Sequence, residues 1–118
     1  MAAQPEYDVT LREIHHVTKK DAPSGTAITL AQEIQTEIPK LTHWVNRPAE
    51  HPGELPIISE RLDQAPGTHS VRYHCPIDDI EIIHTAHSRD GFAGGAVLAA
   101  EFIQDKKGTF SMKDVLGL

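Results

Sequence analysis

At 118 residues, with 39% apolar side chains and a formal net charge of −6, the chain has material for one compact domain with its own core but not for two large ones. The acidic balance excludes a general nucleic-acid surface, so an anionic ligand must be drawn by local charge. No stretch approaches the roughly 20 apolar residues that span a bilayer, the first residues carry neither a charged n-region nor an apolar h-region, and the one cysteine, Cys75, has no partner within the chain, so the expected setting is cytoplasmic and reduced, with no membrane partner.

From Tyr7 the pattern alternates, Tyr7, Val9 and Leu11 against Asp8, Thr10 and Arg12, which predicts a strand with one buried face. A loop broken by Asp21, Ala22 and Pro23 follows. Ser24 then stands as an N-cap, and Ile28, Leu30, Ala31, Ile34 and Ile38 recur at helical spacing up to Pro39. Between Pro39 and Pro66 five prolines interrupt the chain, which predicts an extended connection with a short strand near residues 57–62. Residues 69–74 and 77–85 read as a hairpin around a turn near Cys75–Asp79. Phe92, Ala96, Ala99, Ala100 and Ile103 predict a helix that stops at Gly108, with a thin face of Gly94, Gly95, Ala96, Ala99 and Ala100 suited to close packing. A last short helix opens at Ser111.

The chemistry concentrates in EIHHVTKKDAPSGTA, Glu13 to Ala27. Two imidazoles, His15 and His16, handle protons near neutral pH, because an unperturbed histidine titrates at about 6.5. If the strand persists to this point the two rings face opposite sides, one into a site and the other bracing it. Lys19 and Lys20 add fixed positive charge, although most lysine pairs are solvated loop charges. On local grounds Ser24 and Thr26 read first as simple capping residues and second as part of a helix N-terminus that receives carboxylate or phosphate, and Gly25, a poor helix former, fits a backbone that approaches a ligand. The run therefore suits a small doubly charged anion that takes a proton. Metal-binding spacing of the HExxH kind is absent, the His84 and His87 pair sits at a strand end, and no metal is expected. GFAGGA, Gly91 to Ala96, is neither a Rossmann nor a Walker loop.

The same run closely resembles the signature of the dihydrodipicolinate reductases, and HTAHSRDGFAGGAVLAAEFI with GTFSMKDVLGL resembles the C-terminal end of that family, so the resemblance covers nearly the whole chain. The family's N-terminal Rossmann domain and its GxGxxG loop have no counterpart here, and RLDQAPG, Arg61 to Gly67, departs from the family's RGG-type segment. The resemblance implies an α+β (α/β) fold: a mixed, largely antiparallel sheet of about four strands with helices on one face, the sheet serving to join four copies into a tetramer. It implies a substrate-binding and assembly domain over residues 7–88 and a C-terminal helical segment over 89–118 that packs on the nucleotide-binding domain.

The resemblance also assigns roles. His15 matches the family's proton donor or acceptor and Lys19 its second proton donor, while His16, Gly25 and Thr26 match positions that hold the substrate carboxylates. Arg89 and Phe92 match a motif near the hinge and the cofactor; read locally they are a helix-start arginine and a core phenylalanine. The implied reaction is NADPH- or NADH-dependent reduction of a cyclic unsaturated dicarboxylate in lysine and diaminopimelate biosynthesis, with no cofactor held by these residues themselves. A module that serves assembly only, with no competent ligand site, is the competing reading, and a metal-binding domain is a third.

Overall fold

The computed structural model describes all 118 residues, which divide after Thr85 into two units, Met1–Thr85 and Ala86–Leu118. The first contains five strands and a helix: β1 Asp8–His15, α1 Gly25–Glu37, β2 His43–Val45, β3 Glu54–Arg61, β4 Thr68–His74 and β5 Asp79–Thr85. They form one sheet in the order β2-β3-β1-β4-β5. β1 lies at its centre, parallel to β3 and antiparallel to β4, and β2 joins β3 in parallel while β5 joins β4 antiparallel. The sheet is mixed as expected, with five strands for about four and parallel pairs equal in number to antiparallel ones.

The alternation on β1 works as the period of two requires. Val9, Leu11 and Glu13 are buried while Asp8 and Arg12 are exposed. A parallel β1–β3 pair needs a crossover, and α1 lies within it, packing against β1, β2 and β3. The core is Val9, Leu11, Ala27, Ala31, Ile38, Leu41, Leu55 and Ile57, with Leu30, Ile34, Trp44, Val71 and Tyr73 packed against it.

The proline-rich connection holds more structure than its sequence suggests: β2 is a three-residue strand, and β3 begins at Glu54, three residues earlier than expected, and runs through Pro56. Between them the 46–53 loop is tied down by buried Glu54. Its carboxylate accepts two bonds from the Arg47 guanidinium at 2.8 and 3.0 Å and two from the N–H groups of Glu50 and His51 at 2.8 and 3.2 Å. Led by the arginine, these donors bring the Glu54 carboxyl down to about 2.

The second unit contains α2, Asp90–Ile103, and α3, Met112–Leu116. α2 ends at Ile103, five residues before Gly108, because Asp105 takes the left-handed conformation (φ 65°) and turns the chain. Phe102 and Phe110 meet edge to face at 5.6 Å, and Lys106 Nζ stands 3.1 Å above the Phe102 ring. A capping box between Ser111 and Asp114 starts α3, and Gly117 closes it in the left-handed region. Phe92 is not a core phenylalanine: it is 55% exposed in the first turn of α2, because no element of this unit covers that face.

Candidate functional site

Strand register builds the site. Glu13 on β1 faces His69 on β4, and His15 at the end of β1 faces Arg61 at the end of β3. Side chains at paired positions lie on the same side of a sheet, so two short-range pairings gather four residues separated by up to 56 positions in sequence. The side with Glu13 is the covered one, where α1 packs.

Glu13 is the anchor, with its carboxylate fully buried. The backbone N–H of Ser24 donates to both carboxylate oxygens at 3.1 Å, and Arg61 Nη2 donates to Oε1 at 3.2 Å. Burial by itself pushes the Glu13 carboxyl up, but the combined donors from Ser24, Ser59 and Arg61 outweigh it and leave the group below its ordinary range. His15 Nδ1 lies 3.2 Å from Glu13 Oε2, yet out of line for a hydrogen bond, so the contact is electrostatic and this buried nitrogen has no bonded partner. The His69 ring meets the His15 ring edge-on at 5.0 Å, and its Nε2 stands 3.1 Å from Ser24 Oγ and 3.9 Å from Glu13 Oε2. Burial holds both imidazoles below the ordinary histidine range; Glu13 opposes this in each case, while each also feels the Lys19 charge pushing the same way as burial.

Ser24 links this cluster to α1. Its hydroxyl accepts the N–H of Ala27 as an N-cap while its other bonds reach Glu13 and His69. No acidic residue occupies the first turn itself, and Glu13 meets the helix start only through the Ser24 N–H, so the first-turn N–H groups beside exposed Gly25 and Thr26 still face a positive helix end. An added Cβ at Gly25 would meet nothing within 4 Å, so the first turn is open on that side.

Arg61 fixes the intervening loop as well as Glu13. It donates to the carbonyls of Asp21 at 2.6 Å and Lys19 at 3.4 Å. Lys19 Nζ bonds Asp21 at 2.9 Å and, foremost among the causes, lowers that carboxyl. His16 Nδ1 sits 2.7 Å from Thr18 Oγ1. On the far side, Gly67 lies so close to His15 that a Cβ there would approach Nε2 to 3.2 Å, and its φ of +153° suits glycine alone.

The fold thus brings together Lys19 with His15, and Gly25 and Thr26 with Ser24, and it adds three residues that the local reading passed over. Glu13 could have been found by extending the Val9–Leu11 alternation two residues. Arg61 and His69 arrive through strand register, which no local pattern encodes. Glu13, His15 and His69 also offer ligand atoms within 4.8 Å of one another. The Arg61 guanidinium and the Ser24 N–H already occupy that carboxylate, and a fixed positive charge at 3.2 Å opposes a metal cation. Arg89 and Phe92 lie at the start of α2 in the second unit.

A concavity of about 840 Å³ occupies the other face of the sheet, lined by Thr10, Arg12, Pro56, Ser70, Arg72 and Glu81 among others. Its arginines are spoken for, Arg12 by Glu60 at 2.7 Å and Arg72 by Asp79 at 2.8 Å. It contains neither His15 nor Lys19; the histidines that line it are His51 and His74.

Comparison with known proteins gives a consistent picture. The family model described as the C-terminus of dihydrodipicolinate reductase matches residues 1–116. The chain is 53% identical over 116 residues to a 4-hydroxy-tetrahydrodipicolinate reductase of Christiangramia forsetii, covering 98% of this chain and 48% of that protein. It is 40% identical to the protein of the same name from Methanocorpusculum labreanum, covering 96% and 46%. Among solved structures, a dipicolinate-bound dihydrodipicolinate reductase from Paenisporosarcina sp. TG-14 superposes with a TM-score of 0.63 at 27% identity, over 89% of this chain and 43% of that one. The chain spans about half the length of these relatives.

Proposed function

Because the chain belongs to the dihydrodipicolinate reductase family, as its C-terminal domain, we propose that it supplies the substrate-binding and proton-transfer half of an NAD(P)H-dependent 4-hydroxy-tetrahydrodipicolinate reductase of lysine and diaminopimelate biosynthesis. The observation that carries this reading is the juxtaposition of the α1 N-terminus, at exposed Gly25 and Thr26, with a largely buried imidazole pair and Lys19. In this reading one carboxylate of the ligand sits on the first-turn N–H groups of α1. Lys19 leaves Asp21 to meet the dianion, His16 holds the second carboxylate, and His15 and Lys19 move the proton that the reduced ring takes.

The hydride step does not belong to these residues. NADPH or NADH supplies it when bound, but Gly94 and Gly95 lie inside α2, where N–H groups are already spent on the helix and cannot cradle a pyrophosphate. The reading gives the nucleotide to the remainder of the longer proteins that this chain resembles, sets Arg89 and Phe92 near the hinge to it, and expects no turnover from residues 1–118 alone. It assigns residues 7–88 to substrate and assembly and 89–118 to packing on the nucleotide domain.

Assembly has its own support. β5 is an edge strand exposed along its whole length, with Ile80, Ile82 and Ile83 at 47, 65 and 59% exposure, and α2 exposes Phe92, Val97, Leu98 and Ile103. A long apolar edge of this kind is ordinarily covered, and the reading covers it by a homotetramer joined through the sheet, with residues 92–105 docked at an interface.

The test is ligand-dependent stability. Pyridine-2,6-dicarboxylate, a planar mimic of the ligand, is expected to raise the melting temperature of the chain progressively with the logarithm of its concentration above the dissociation constant, and Lys19→Ala is expected to weaken the effect at least several-fold. A module for assembly alone would form the same multimer with no response to the dicarboxylate at millimolar concentration, and that result would retire the substrate-binding reading.

A further inference from the structure

We propose that Glu13 and His69 are positioning residues for His15, with Glu13 fixing its ring as the tautomer that carries hydrogen on Nδ1 and so reserving Nε2 for proton exchange. The inference rests on the reading of His15 as the proton-transfer group, and it names residues which that reading leaves out.

The argument begins with the unbonded nitrogen. His15 Nδ1 is buried and faces Glu13 Oε2 at 3.2 Å without hydrogen-bond alignment. Were Nδ1 the bare nitrogen, its lone pair would lie beside a carboxylate 3.2 Å away at a position buried from water, where like-signed groups repel strongly. With hydrogen on Nδ1 the same contact becomes attractive, and a small ring rotation turns it into a charge-assisted bond. Hydrogen bonds at such sites are often poorly aligned without ligand and tighten when it binds. The opposite edge of the ring is shaped to match. Nε2 faces Gly67, the residue type that leaves space there, since any Cβ would press on this nitrogen at 3.2 Å.

Glu13 is in turn held too firmly to follow the ring. Ser24 N–H and Arg61 fix the carboxylate from two sides. His69 closes a third side of His15, packed edge-on at 5.0 Å and anchored through its Nε2 to Ser24 Oγ at 3.1 Å. The charged and titratable groups acting on His15 are therefore Glu13 from its own strand, His16 and Lys19 from the following loop, Arg61 from β3 and His69 from β4, with His84 of β5 acting on His69. Glu13 alone among them favours the protonated ring of His15.

Ser24 joins this arrangement to the ligand end. The same residue caps α1, holds Glu13 and holds His69, so the imidazole pair and the helix N-terminus keep a fixed relation. A carboxylate bound at Gly25 and Thr26 is thereby placed at a set distance from the proton-exchanging edge of His15.

Long-range nitrogen–proton NMR on the 118-residue chain reads the tautomer of each histidine directly. Above its titration midpoint His15 is expected to carry hydrogen on Nδ1 by about tenfold over Nε2, the scale of one charge-assisted contact. In Glu13→Gln that preference is expected to fall toward the ordinary mixture and the His15 midpoint to move lower, while His69→Phe, which keeps an edge-on ring, is expected to leave the His15 tautomer in place. A wild-type ring with hydrogen on Nε2 would overturn the proposal without need of any variant, as would a Glu13→Gln chain that is folded and leaves both readouts unchanged. The same samples titrated with pyridine-2,6-dicarboxylate separate this inference from the function it rests on: a correct tautomer with no ligand response contradicts the substrate-binding reading alone.

Discussion

Arg61→Ala is the most informative perturbation of the cluster. The guanidinium is Glu13's cationic partner at 3.2 Å, and it also holds the Asp21 and Lys19 carbonyls. Removing one member of a buried pair costs about 3–5 kcal/mol, because the remaining charge is left uncompensated. Here the Ser24 N–H still serves the carboxylate and Arg61 itself is 20% exposed, so the lower part of that range applies, about 3–4 kcal/mol at pH 7. The sign with pH follows from the direction of the Glu13 shift. A carboxyl held below its unfolded value contributes stability that is present above the unfolded value, about 4.3, and is lost as pH falls through the folded one. Without Arg61 that contribution shrinks or reverses, so the difference between wild type and variant is largest near neutrality and narrows below about pH 4. Urea unfolding at pH 7 and at pH 3.5 measures it. A difference below about 1 kcal/mol at pH 7, or the same difference at both pH values, would refute the assignment of Arg61 as the compensating charge.

Two further perturbations probe the scaffold around the site. Glu54→Gln is expected to lower the melting temperature at neutral pH and to speed amide exchange over residues 46–53; since the native carboxyl is held down to about 2, the difference from wild type should disappear as pH falls from the ordinary carboxylate range toward that value. Gly67→Ala forces a Cβ to 3.2 Å from His15 Nε2 at a φ of +153°, and is expected to destabilise the chain by about 1–3 kcal/mol and to shift the His15 ring signals, so a neutral substitution with unchanged His15 resonances would show that the close approach carries no constraint.

Much of this architecture is written locally. The alternation Val9–Leu11, the Ser24 cap and the spacing to Ile38 define β1 and α1, and the hairpin around Cys75 follows from its flanking apolar runs. The strand at residues 43–45 and the first three residues of β3 are obscured by Pro48, Pro52 and Pro56, since proline lowers strand propensity wherever it falls, and here the pairing of β3 with β1 and β2 and the Glu54 lock override it. Of the candidate site, His15 at the end of β1, Lys19 in the following loop and Gly25 and Thr26 in the first turn of α1 stand out in the sequence because their chemistry is contiguous. Glu13 was hidden in plain sight on the buried face, where an acid contradicts the apolar pattern. His69 and Arg61 depend on which strand lies beside β1, a choice made by the whole sheet. Phe92 misled because an aromatic residue at helical spacing implies a core, while α2 leaves that face open.

The claim on which the rest depends is that the α1 N-terminus and the Lys19 loop together receive two carboxylates. Isothermal titration of the 118-residue chain with pyridine-2,6-dicarboxylate and, in parallel, with pyridine-2-carboxylate tests it most directly. The account predicts measurable binding of the dicarboxylate, binding at least tenfold weaker for the monocarboxylate, as loss of one charge-assisted contact requires, and a matching loss for the dicarboxylate in Lys19→Ala. Equal affinity for the two ligands, or no heat from either while the sheet remains folded, would contradict it.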